Sequence, residues 1–546
     1  MAADGTLLDA LDEVAGRREP ALVFHGDAGP ERIGANRLLE DADRDAGTLA
    51  AAGVEPGDLV GLLGPNEHAW SRWAFAVWRA GGTLVPVQHQ QRMADRSALA
   101  RQVDVATRAT GCRTVVAHPA LLDVVREARA LDWTAEPEAA PTPDGARPDP
   151  GVPAVAQFTS GTTGTPKAAL VGHAAVLAAV RATAVAYDLT DGDSFAGWHP
   201  FFHDLGLFGL LLRPLLLGLD AHFIPTTRFA RDPAEWFRLI GRAGATVTAG
   251  PSSAWAPAMR AASRDPTGCE LASLRVAALS AEAIEAETVD GLIRDGTRLG
   301  LRRQALTAAY GMAETTLAIT VGRPSTGIRF DDVDAEELAT TGRARQPAEG
   351  SAVRRIASCG VPVPGTGLEV LGPDGTTLPE RTVGAVRVRA PYAYSGYLGD
   401  PPRRPADWIP TGDLGYLADG ELFFTGREKD VIVVLGRNHD PEDIEWAAGR
   451  VDGVRQGRAV AFATPGRGEG AATVIVEARP GTDPAELPLP VRRAVTDATG
   501  VAPAEVLVLP PGTVLKTTSG KIRRSALRET HAAGGLQPLA RWPSSD

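Results

Sequence analysis

The first part of the chain alternates two hydrophobic patterns. Apolar residues recur at helical spacing over residues 36–52 and 69–80, and short apolar runs occupy residues 58–63 and 83–87. A repeat of about 3.6 residues is typical of a helix with one buried face, and a short continuous apolar run is typical of a buried strand. This part of the chain therefore predicts layered β/α structure.

The pattern changes several times further along. Residues 134–150 are rich in Pro and Ala and predict a surface loop, and residues 153–158 predict a strand that leads into a glycine-rich turn. Residues 322–349 are polar and weakly patterned, which indicates either an insertion or a mobile loop. Short strands with turn signals then dominate residues 360–424.

The C-terminal stretch shows strand patterns of its own, at residues 431–435, 459–464 and 472–477. A chain of 546 residues is too long for one compact core. We therefore predict an α/β protein with two parts. Residues 1–427 form a large N-terminal body of several α/β subdomains, and residues 428–546 form a small mobile α+β domain.

Composition excludes several classes of protein. The net charge of −11 argues against a nucleic-acid binder, which needs a clustered basic surface. Three scattered cysteines (Cys112, Cys269 and Cys359) predict free thiols in a reducing compartment and no zinc site. The acidic N-terminus lacks an apolar segment, and the apolar stretch 205–219 is too short to span a bilayer. We expect a cytoplasmic enzyme without a membrane span.

Lysine is rare in this chain. Of 56 basic residues only four are lysine, namely Lys167, Lys429, Lys516 and Lys521. Arginine evidently serves the general solubility and ion-pair roles, so a remaining lysine suggests a need for a compact ammonium on a flexible stem. All four lie in the segments that carry the motifs below.

A glycine- and hydroxyl-rich loop follows the strand predicted at residues 153–158. It contains Thr159, Ser160, Gly161, Thr162, Thr163, Gly164 and Lys167. Glycines let backbone N–H groups turn toward an anion, hydroxyls donate further hydrogen bonds, and lysine supplies charge. The spacing differs from the Walker A loop, in which Ser or Thr follows the lysine. The residues predict a phosphate-binding loop.

This loop resembles the signature loop of the adenylate-forming superfamily, which includes acyl-CoA synthetases, fatty acyl-AMP ligases, luciferases and peptide-synthetase adenylation domains. The family usually has glycine after the lysine, and this chain has Ala168. The extra methyl group can crowd the loop and slow the first half-reaction.

Residues 198–207 (WHPFFHDLGL) resemble the family segment that lines the acyl pocket beside the α-phosphate. The resemblance implies that His203 is a gating or orienting group. Trp198, Phe202 and Trp255 are candidates for an apolar acyl pocket, although buried aromatic residues are more often plain core.

Residues 310–315 (YGMAET) resemble the family motif that binds adenine and magnesium. The resemblance implies that Tyr310 stacks on adenine, with Gly311 and Met312 beside it. Glu314 would hold Mg²⁺, and Thr315 would bond the phosphate.

Four further segments follow the family order. Ser280, Ala281 and Glu282 stand where a strand end borders adenine. The resemblance further implies that Asp413 accepts both ribose hydroxyls, that Arg427 reaches ribose or phosphate, and that Lys429 is the interdomain hinge. Lys521 matches the lysine that bridges the substrate carboxylate and the α-phosphate.

Two features resemble the fatty acyl-AMP ligase branch. Residues 436–445 (GRNHDPEDIE) are similar to that branch's GRNHYPQDIE, with Asp440 in place of tyrosine, and the spacing between Glu314 and Gly360 leaves room for its insertion. That branch hands acyl groups to carrier proteins. Residues 85–89 lack the further prolines expected there, so CoA stays open as the acceptor.

The resemblance implies a ligase that activates a carboxylic acid, fatty or otherwise apolar, with ATP and Mg²⁺, and passes the acyl group to CoA or to a separate carrier protein. Two alternatives remain: a thioester-forming enzyme that acts mainly on preformed acyl-AMP, and a non-catalytic acyl or nucleotide sensor on the same fold. An amino-acid-activating domain is disfavoured because the segment 198–207 lacks the aspartate that would bind an α-ammonium.

Overall fold

The structure is a computed structural model that describes residues 5–89, 96–134, 149–159, 167–434, 436–464, 471–516 and 522–543. Most of the loop predicted at residues 134–150 lies outside these ranges. The helices and strands from residue 5 to residue 311 are, in chain order, α1 (Leu7–Arg17), β1 (Ala21–Gly26), β2 (Gly29–Gly34), α2 (Ala35–Ala51), β3 (Leu59–Leu63), α3 (His68–Arg79), β4 (Thr83–Pro86), α4 (Arg96–Thr110), β5 (Thr114–Ala117), β6 (Arg129–Asp132), β7 (Pro153–Phe158), β8 (Ala168–Gly172), α5 (His173–Ala186), β9 (Ser194–Gly197), α6 (Arg213–Leu217), β10 (Asp220–Phe223), α7 (Thr226–Arg231), α8 (Glu235–Ala243), β11 (Val247–Gly250), α9 (Ser252–Arg264), β12 (Val276–Ser280), α10 (Ala286–Gly296) and β13 (Leu306–Gly311).

The elements after residue 311 are mostly short strands. They are β14 (Ala318–Val321), β15 (Phe330–Asp334), α11 (Ala335–Thr341), β16 (Val353–Ala357), β17 (Val361–Pro362), β18 (Gly367–Leu371), β19 (Gly384–Arg389), β20 (Ile409–Ala418), β21 (Glu421–Arg427), β22 (Ile432–Val434), β23 (Arg437–His439), α12 (Pro441–Gly449), β24 (Val454–Ala463), β25 (Ala472–Ala478), α13 (Pro488–Thr499), β26 (Glu505–Leu509), α14 (Arg524–Ala532) and β27 (Ala540–Trp542).

Two largely parallel sheets form the body of the protein. One has the strand order β6-β5-β3-β4-β7-β8, and the central sheet has the order β17-β14-β13-β12-β11-β9-β10-β1-β2. Strands β4 and β5 are buried at every position, as expected of parallel strands with both faces covered. The predicted β/α layering is confirmed, and the predicted helices and strands of residues 36–87 agree with α2, β3, α3 and β4 to within one residue.

The apolar stretch 205–219 is part of the core. Residues Leu205–Leu212 form a π-helical segment that continues into α6, and the guanidinium of the buried Arg213 lies over the rings of Tyr187 and Phe195, at 5.4 and 5.1 Å from their centroids. Contact with two aromatic faces helps to offset the cost of burying this cation. None of the helices in the described ranges is long and apolar enough to cross a membrane.

The polar segment 322–349 contains ordered secondary structure. Strand β15 pairs with β16 in antiparallel register, and α11 begins at Asp334, whose carboxylate accepts hydrogen bonds from the backbone N–H groups of Glu336 and Glu337. Val333 and Leu338 are buried in an apolar cluster with Tyr416 and Phe423. Of the two interpretations offered by the sequence, the described part of this segment fits a folded insertion, held by a helix cap and a few buried side chains.

The C-terminal part has a sheet and a core of its own. Its sheet has the order β24-β25-β26-β27, and α12 and α13 contribute side chains to an apolar cluster that spans residues 432–508. Before it stands the four-stranded antiparallel sheet β18-β19-β20-β21. The separate core supports our proposal of a domain boundary after residue 427.

Ion pairs connect this C-terminal part to the body. Arg354 of β16 donates from Nη2 to Asp440 Oδ2 at 2.6 Å and lies 2.9 Å from Asp443 Oδ2. Burial raises the pKa of Asp440 to about 7, and the cation of Arg354 opposes this rise. Two other pairs, Arg437–Glu336 at 2.8 Å and Arg450–Glu285 at 2.5 Å, link the same regions.

Close packing at Gly360, between the central sheet and the antiparallel sheet, can be tested by substitution. Gly360 has φ +88, and a Cβ there would lie 2.0 Å from the carbonyl oxygen of Val321. Gly350 has φ +84 and nothing within 4 Å of such a Cβ. We expect Gly360→Ala to destabilise the fold by about 3 kcal/mol or more and Gly350→Ala by about 1 kcal/mol, because only Gly360 adds a steric clash to the left-handed strain. Calorimetric melting of both variants measures the difference, and equal melting temperatures would contradict it.

Candidate active site

The carboxyl ends of parallel strands define one edge of the central sheet. Strands β9, β11, β12 and β13 run parallel and end at Gly197, Gly250, Ser280 and Gly311. In open α/β sheets, ligands bind in the crevice outside the carboxyl ends of the strands. The predicted pocket segment follows β9, and the two predicted adenine segments fall at the ends of β12 and β13.

The predicted phosphate loop leaves the adjacent sheet between β7 and β8. The backbone N–H of Thr159 donates to the carbonyl oxygen of Lys167 at 3.0 Å, which closes the two ends of the loop. Ser160, Gly161, Thr162, Thr163 and Gly164 lie outside the described residues. Ala168 is 4% exposed and belongs to the apolar core around β3, β5 and β7. The structure therefore gives its methyl group a place in the core.

Tyr310 and Asp413 connect the central sheet with the antiparallel sheet. The phenol of Tyr310, near the end of β13, donates to Asp413 Oδ2 at 2.7 Å. Asp413 on β20 stands opposite Arg427 on β21, whose Nε lies 3.4 Å from Asp413 Oδ1. Burial, followed by the charge of Asp413, raises the pKa of Tyr310 well above its usual value, so this hydroxyl is a donor. The structure thus brings together three predicted nucleotide-binding residues.

Glu314 lies on a tight turn that follows β13. A Cβ on Gly311 would lie 1.7 Å from the carbonyl oxygen of Leu317, so only glycine fits there. Thr316 has φ 62 and ψ −55, a strained conformation that costs on the order of 1–3 kcal/mol for a β-branched residue. Its hydroxyl donates to the carbonyl oxygen of Tyr392 at 2.6 Å and holds the turn in place. The hydroxyl of Thr315 is fully buried and donates to Met312 O at 3.0 Å.

A tyrosine absent from the predicted site contacts both Glu314 and Lys167. The phenol of Tyr397 donates to Glu314 Oε1 at 2.6 Å, and Lys167 Nζ lies 4.8 Å from the centroid of the Tyr397 ring. Burial, together with the hydrogen bond to Glu314, raises the pKa of Tyr397, so its hydroxyl stays protonated. The phosphate-loop lysine and the predicted magnesium ligand therefore contact the same tyrosine side chain, the lysine at the ring face and the glutamate at the hydroxyl.

The surroundings of Glu314 fit the magnesium ion predicted from the sequence. Mg²⁺ is usually held by one or two carboxylates together with the substrate's phosphates, and it keeps several waters. Within the described ranges, no group of three or more His, Cys, Asp or Glu side chains forms a metal cage. Tyr397 occupies one oxygen of the half-exposed Glu314 carboxylate, which leaves the other for a cation.

The segment at the end of β12 is tied to α9. Ala281 has φ 68, and the carboxylate of Glu282 accepts hydrogen bonds from the N–H of Ser253 at 3.0 Å and from its hydroxyl at 2.8 Å. The hydroxyl oxygen of Ser280 is buried and has no hydrogen-bond partner among the described residues. Glu282 thus positions the start of α9 beside the sheet edge.

Two amides anchor the segment 198–207. Asn66 Nδ2 donates to His199 O at 2.5 Å, and Asn66 Oδ1 accepts from the N–H of Phe201 at 2.9 Å. Gln157 Nε2 donates to Phe202 O at 3.0 Å. These contacts fix the backbone immediately before His203, which is 9% exposed.

Three histidines lie close together at this segment. Burial and the neighbouring His203 lower the pKa of His199 to about 3. Burial also lowers the pKa of His89 to about 4, with a smaller contribution from His203. The ring of His89 lies 4.7 Å from that of Phe202. His89 and His199 are therefore neutral near pH 7.

The predicted pocket aromatics are tightly packed. The ring of Trp198 stacks on Phe229 with centroids 3.6 Å apart, and Trp255 lies 4.5 Å from Trp236. Trp198 and Trp255 belong to one apolar cluster. Their burial agrees with a core role, and their contact with an acyl chain stays a prediction.

The predicted catalytic lysine, Lys521, lies outside the described residues. The residues on either side, Lys516 and Ile522, form an antiparallel bridge. Burial lowers the pKa of Lys516, and the nearby carboxylate of Glu282 opposes this shift. Lys516 is thus close to Glu282 at the end of β12. Lys429, the predicted hinge, lies on an exposed turn at Glu428–Asp430.

Four residues that support the site carry almost no local sequence signal. Asn66, His89 and Gln157 reach the segment 198–207 from three other places in the chain. Tyr397 stands 83 positions from Glu314. The SGY run at residues 395–397 is the one local signal for it, because a glycine before an aromatic residue allows a sharp turn next to a buried ring.

Comparison with known proteins agrees with this geometry. The profile of the AMP-binding enzyme family matches residues 11–398. Long-chain-fatty-acid–AMP ligase FadD26 of Mycobacterium marinum (strain ATCC BAA-535 / M) is 30% identical over 533 residues, which cover 90% of each chain. Medium-chain-fatty-acid–[acyl-carrier-protein] ligase JamA of Moorena producens (strain JHB) is 33% identical over 406 residues, which cover 70% of this chain and 68% of JamA.

A solved structure from studies of fatty acyl-adenylate ligases of E. coli and L. pneumophila superposes with a TM-score of 0.91 at 28% identity, and covers 98% of this chain and 99% of that one. The predicted fold class, a large α/β body followed by a small α+β part, is therefore confirmed. On this evidence the chain belongs to the AMP-binding enzyme family, the adenylate-forming ligases, and within it to the fatty acyl-AMP ligase branch.

Proposed function

We propose that this enzyme joins a fatty acid to AMP and then passes the acyl group to the thiol of a separate acyl carrier protein. The observation that carries the proposal is the convergence of Tyr310, Asp413 and Arg427 beside the Lys167–Tyr397–Glu314 group. A buried aromatic ring, a carboxylate and two cations at the end of parallel strands suit a nucleoside triphosphate.

The nucleotide would lie along the edge formed by β12 and β13. Asp413 would accept the ribose hydroxyls, and the hydrogen bond from Tyr310 holds its carboxylate in place. The half-buried Tyr310 ring would flank adenine together with the Ser280–Glu282 segment. Lys167 and Arg427 would neutralise phosphate charge, and Glu314 would hold Mg²⁺, which when bound supplies further positive charge at the phosphates.

In the first step a carboxylate oxygen of the acid attacks the α-phosphorus of ATP. The bond from the α-phosphorus to the bridging oxygen breaks, and pyrophosphate leaves with that oxygen. Because two anions must meet, the enzyme's task is to align them and to neutralise their charge. Lys521 would bridge the carboxylate and the α-phosphate, and His203 would orient the acid.

In the second step the acceptor thiol attacks the acyl carbon, and AMP leaves. This step needs Lys521 withdrawn and a path opened for the acceptor. Rotation of the C-terminal part about Lys429 would achieve both. The likeness to JamA, a carrier-protein ligase, and to FadD26, a long-chain fatty acid–AMP ligase, supports a fatty acid as substrate and a carrier protein as acceptor.

Substitution of Lys521 should impair the first step and spare the second. We expect Lys521→Ala to lower acid-dependent pyrophosphate release by at least about 100-fold, because the two anions lose their shared cation. Acyl transfer from supplied acyl-AMP should persist. Lys516→Ala is the matched control and should keep most of the pyrophosphate release. Full pyrophosphate release by Lys521→Ala would overturn the assignment.

Asp413 tests the ribose contact. We expect Asp413→Ala to raise the KM for ATP about tenfold or more, because hydrogen bonds to a charged group contribute about 1.5–3 kcal/mol. The control is Asp452→Ala, since that side chain is 99% exposed and far from the predicted nucleotide contacts in sequence. Pyrophosphate exchange at varied ATP gives both constants. A KM equal to that of the unmodified enzyme would contradict the ribose role.

The acceptor can be assigned by direct competition. A series of fatty acids with ATP is offered either CoA or a carrier protein that bears its phosphopantetheine arm, and thioester is measured by mass spectrometry. We expect the acylated carrier protein to be the main product and acyl-CoA to be a minor one. Efficient formation of acyl-CoA without acylation of the carrier protein would make the enzyme an acyl-CoA synthetase.

A further inference from the structure

The steps proposed above assign no task to Tyr397 itself, yet its side chain contacts two of the residues that they use, Lys167 and Glu314. Its phenol donates to Glu314 Oε1 at 2.6 Å, and its ring lies under Lys167 Nζ at 4.8 Å from the ring centroid. A phenol–carboxylate hydrogen bond is charge-assisted, and an ammonium over an aromatic face is attracted by the ring's negative face. One side chain therefore interacts with a cation and with an anion through different parts of its structure.

The backbone around Tyr397 is fixed to both partners. The N–H of Leu398 donates to Ala168 O at 2.9 Å, and the N–H of Leu170 donates to Gly396 O at 2.9 Å, so the segment pairs with the strand that begins just after Lys167. The N–H of Tyr394 donates to Glu314 O at 2.8 Å. These bonds set the distance between the ring and its two partners before any ligand binds.

The ring also keeps the two charges from neutralising each other. Within the described residues, Lys167 and Glu314 form no ion pair with each other or with other side chains, although both contact the same tyrosine. A direct Lys167–Glu314 pair would occupy the ammonium that a phosphate needs and the oxygen that a cation needs. Tyr397 hydrogen-bonds one oxygen of Glu314 and contacts the Lys167 ammonium through the face of its ring.

Gly396 is what allows this placement. It has φ +140, a conformation that favours glycine, and a Cβ there would lie 3.3 Å from the carbonyl oxygen of Pro401. The turn it permits brings the following residue back across β8, where Tyr397 stands opposite Ala169. The ring reaches the site only because the chain turns at this point.

We propose that Tyr397 is a positioning residue for the adenylation step: it holds Glu314 ready for the metal bound to ATP and holds Lys167 ready for the phosphates, without touching the reacting atoms. The inference rests on the proposed function. The Tyr397 hydroxyl contributes to nucleotide affinity only when the metal is present, and the ring contributes with or without the metal.

Two substitutions at this position separate these contributions. Tyr397→Phe keeps the ring beneath Lys167 and removes the hydroxyl, and Tyr397→Leu removes both. Tyr392→Phe is the matched control, because it deletes a buried tyrosine hydroxyl on the same segment that contacts Thr366 instead. The dissociation constant of the unreactive analogue α,β-methylene-ATP is measured by calorimetry for the full chain, with saturating Mg²⁺ and with excess EDTA.

We expect Tyr397→Phe to weaken binding about tenfold with Mg²⁺ and to stay within about twofold of the unmodified enzyme in EDTA. Tyr397→Leu should weaken binding under both conditions, and Tyr392→Phe under neither. In the reaction, Tyr397→Phe should need more Mg²⁺ for half-maximal pyrophosphate release, while transfer from supplied acyl-AMP stays unchanged.

Several outcomes would overturn this inference. Binding by Tyr397→Phe that matches the unmodified enzyme in Mg²⁺ would remove the hydroxyl's role, and an equal loss in Mg²⁺ and EDTA would show a merely structural effect. Circular dichroism and melting temperature establish that each variant is folded, and Tyr397→Phe decides the question if Tyr397→Leu does not fold. If the unmodified enzyme itself binds no nucleotide, the proposed function fails, and this inference fails with it.

Discussion

The hydrogen bond between the phenol of Tyr310 and the carboxylate of Asp413 joins a largely parallel sheet to an antiparallel one. Tyr310 ends a strand of the parallel central sheet, and Asp413 belongs to an antiparallel sheet about a hundred residues later in the chain. Neither sheet alone presents an aromatic ring, a carboxylate and a cation to one ligand. The bond fixes how the sheets meet, and the candidate nucleotide site lies where they do.

Around this bond, much of the local backbone is held in conformations that few residues tolerate. Gly311 leaves no room for a side chain, Thr316 sits in a strained turn, and Ala281 has a positive φ at the end of the next strand. Such positions persist where the surrounding structure determines them strongly. Here they surround Glu314 and the predicted adenine edge, so the geometry of the site is set before a ligand arrives.

The sequence predicted the layered fold and its elements because buried parallel strands and amphipathic helices leave clear patterns at residues 36–87 and 153–158. Tyr310, Glu314, Asp413 and Arg427 are predicted as site residues because the segments around them resemble motifs of the adenylate-forming family. Tyr397, Asn66 and Gln157 are not predicted. Their roles depend on tertiary contacts across tens to hundreds of residues, and a single tyrosine or amide carries no local sign of such a contact. The sequence of residues 322–349 is compatible with both an insertion and a mobile loop, because the helix cap that orders it involves only a few residues.

The contacts between the C-terminal part and the body have a thermodynamic consequence. Arg354, Arg437 and Arg450 reach across as ion pairs, whereas the apolar clusters of the described C-terminal residues include no residue before 432. A rotation that exchanges these pairs would expose little apolar surface to water and would carry only a small heat-capacity change. The balance between the two orientations would then shift little with temperature. It would respond to ionic strength through the exposed Arg437 and Arg450 side chains, because dissolved salt screens exposed charges, and much less through Arg354, whose partner Asp440 is buried.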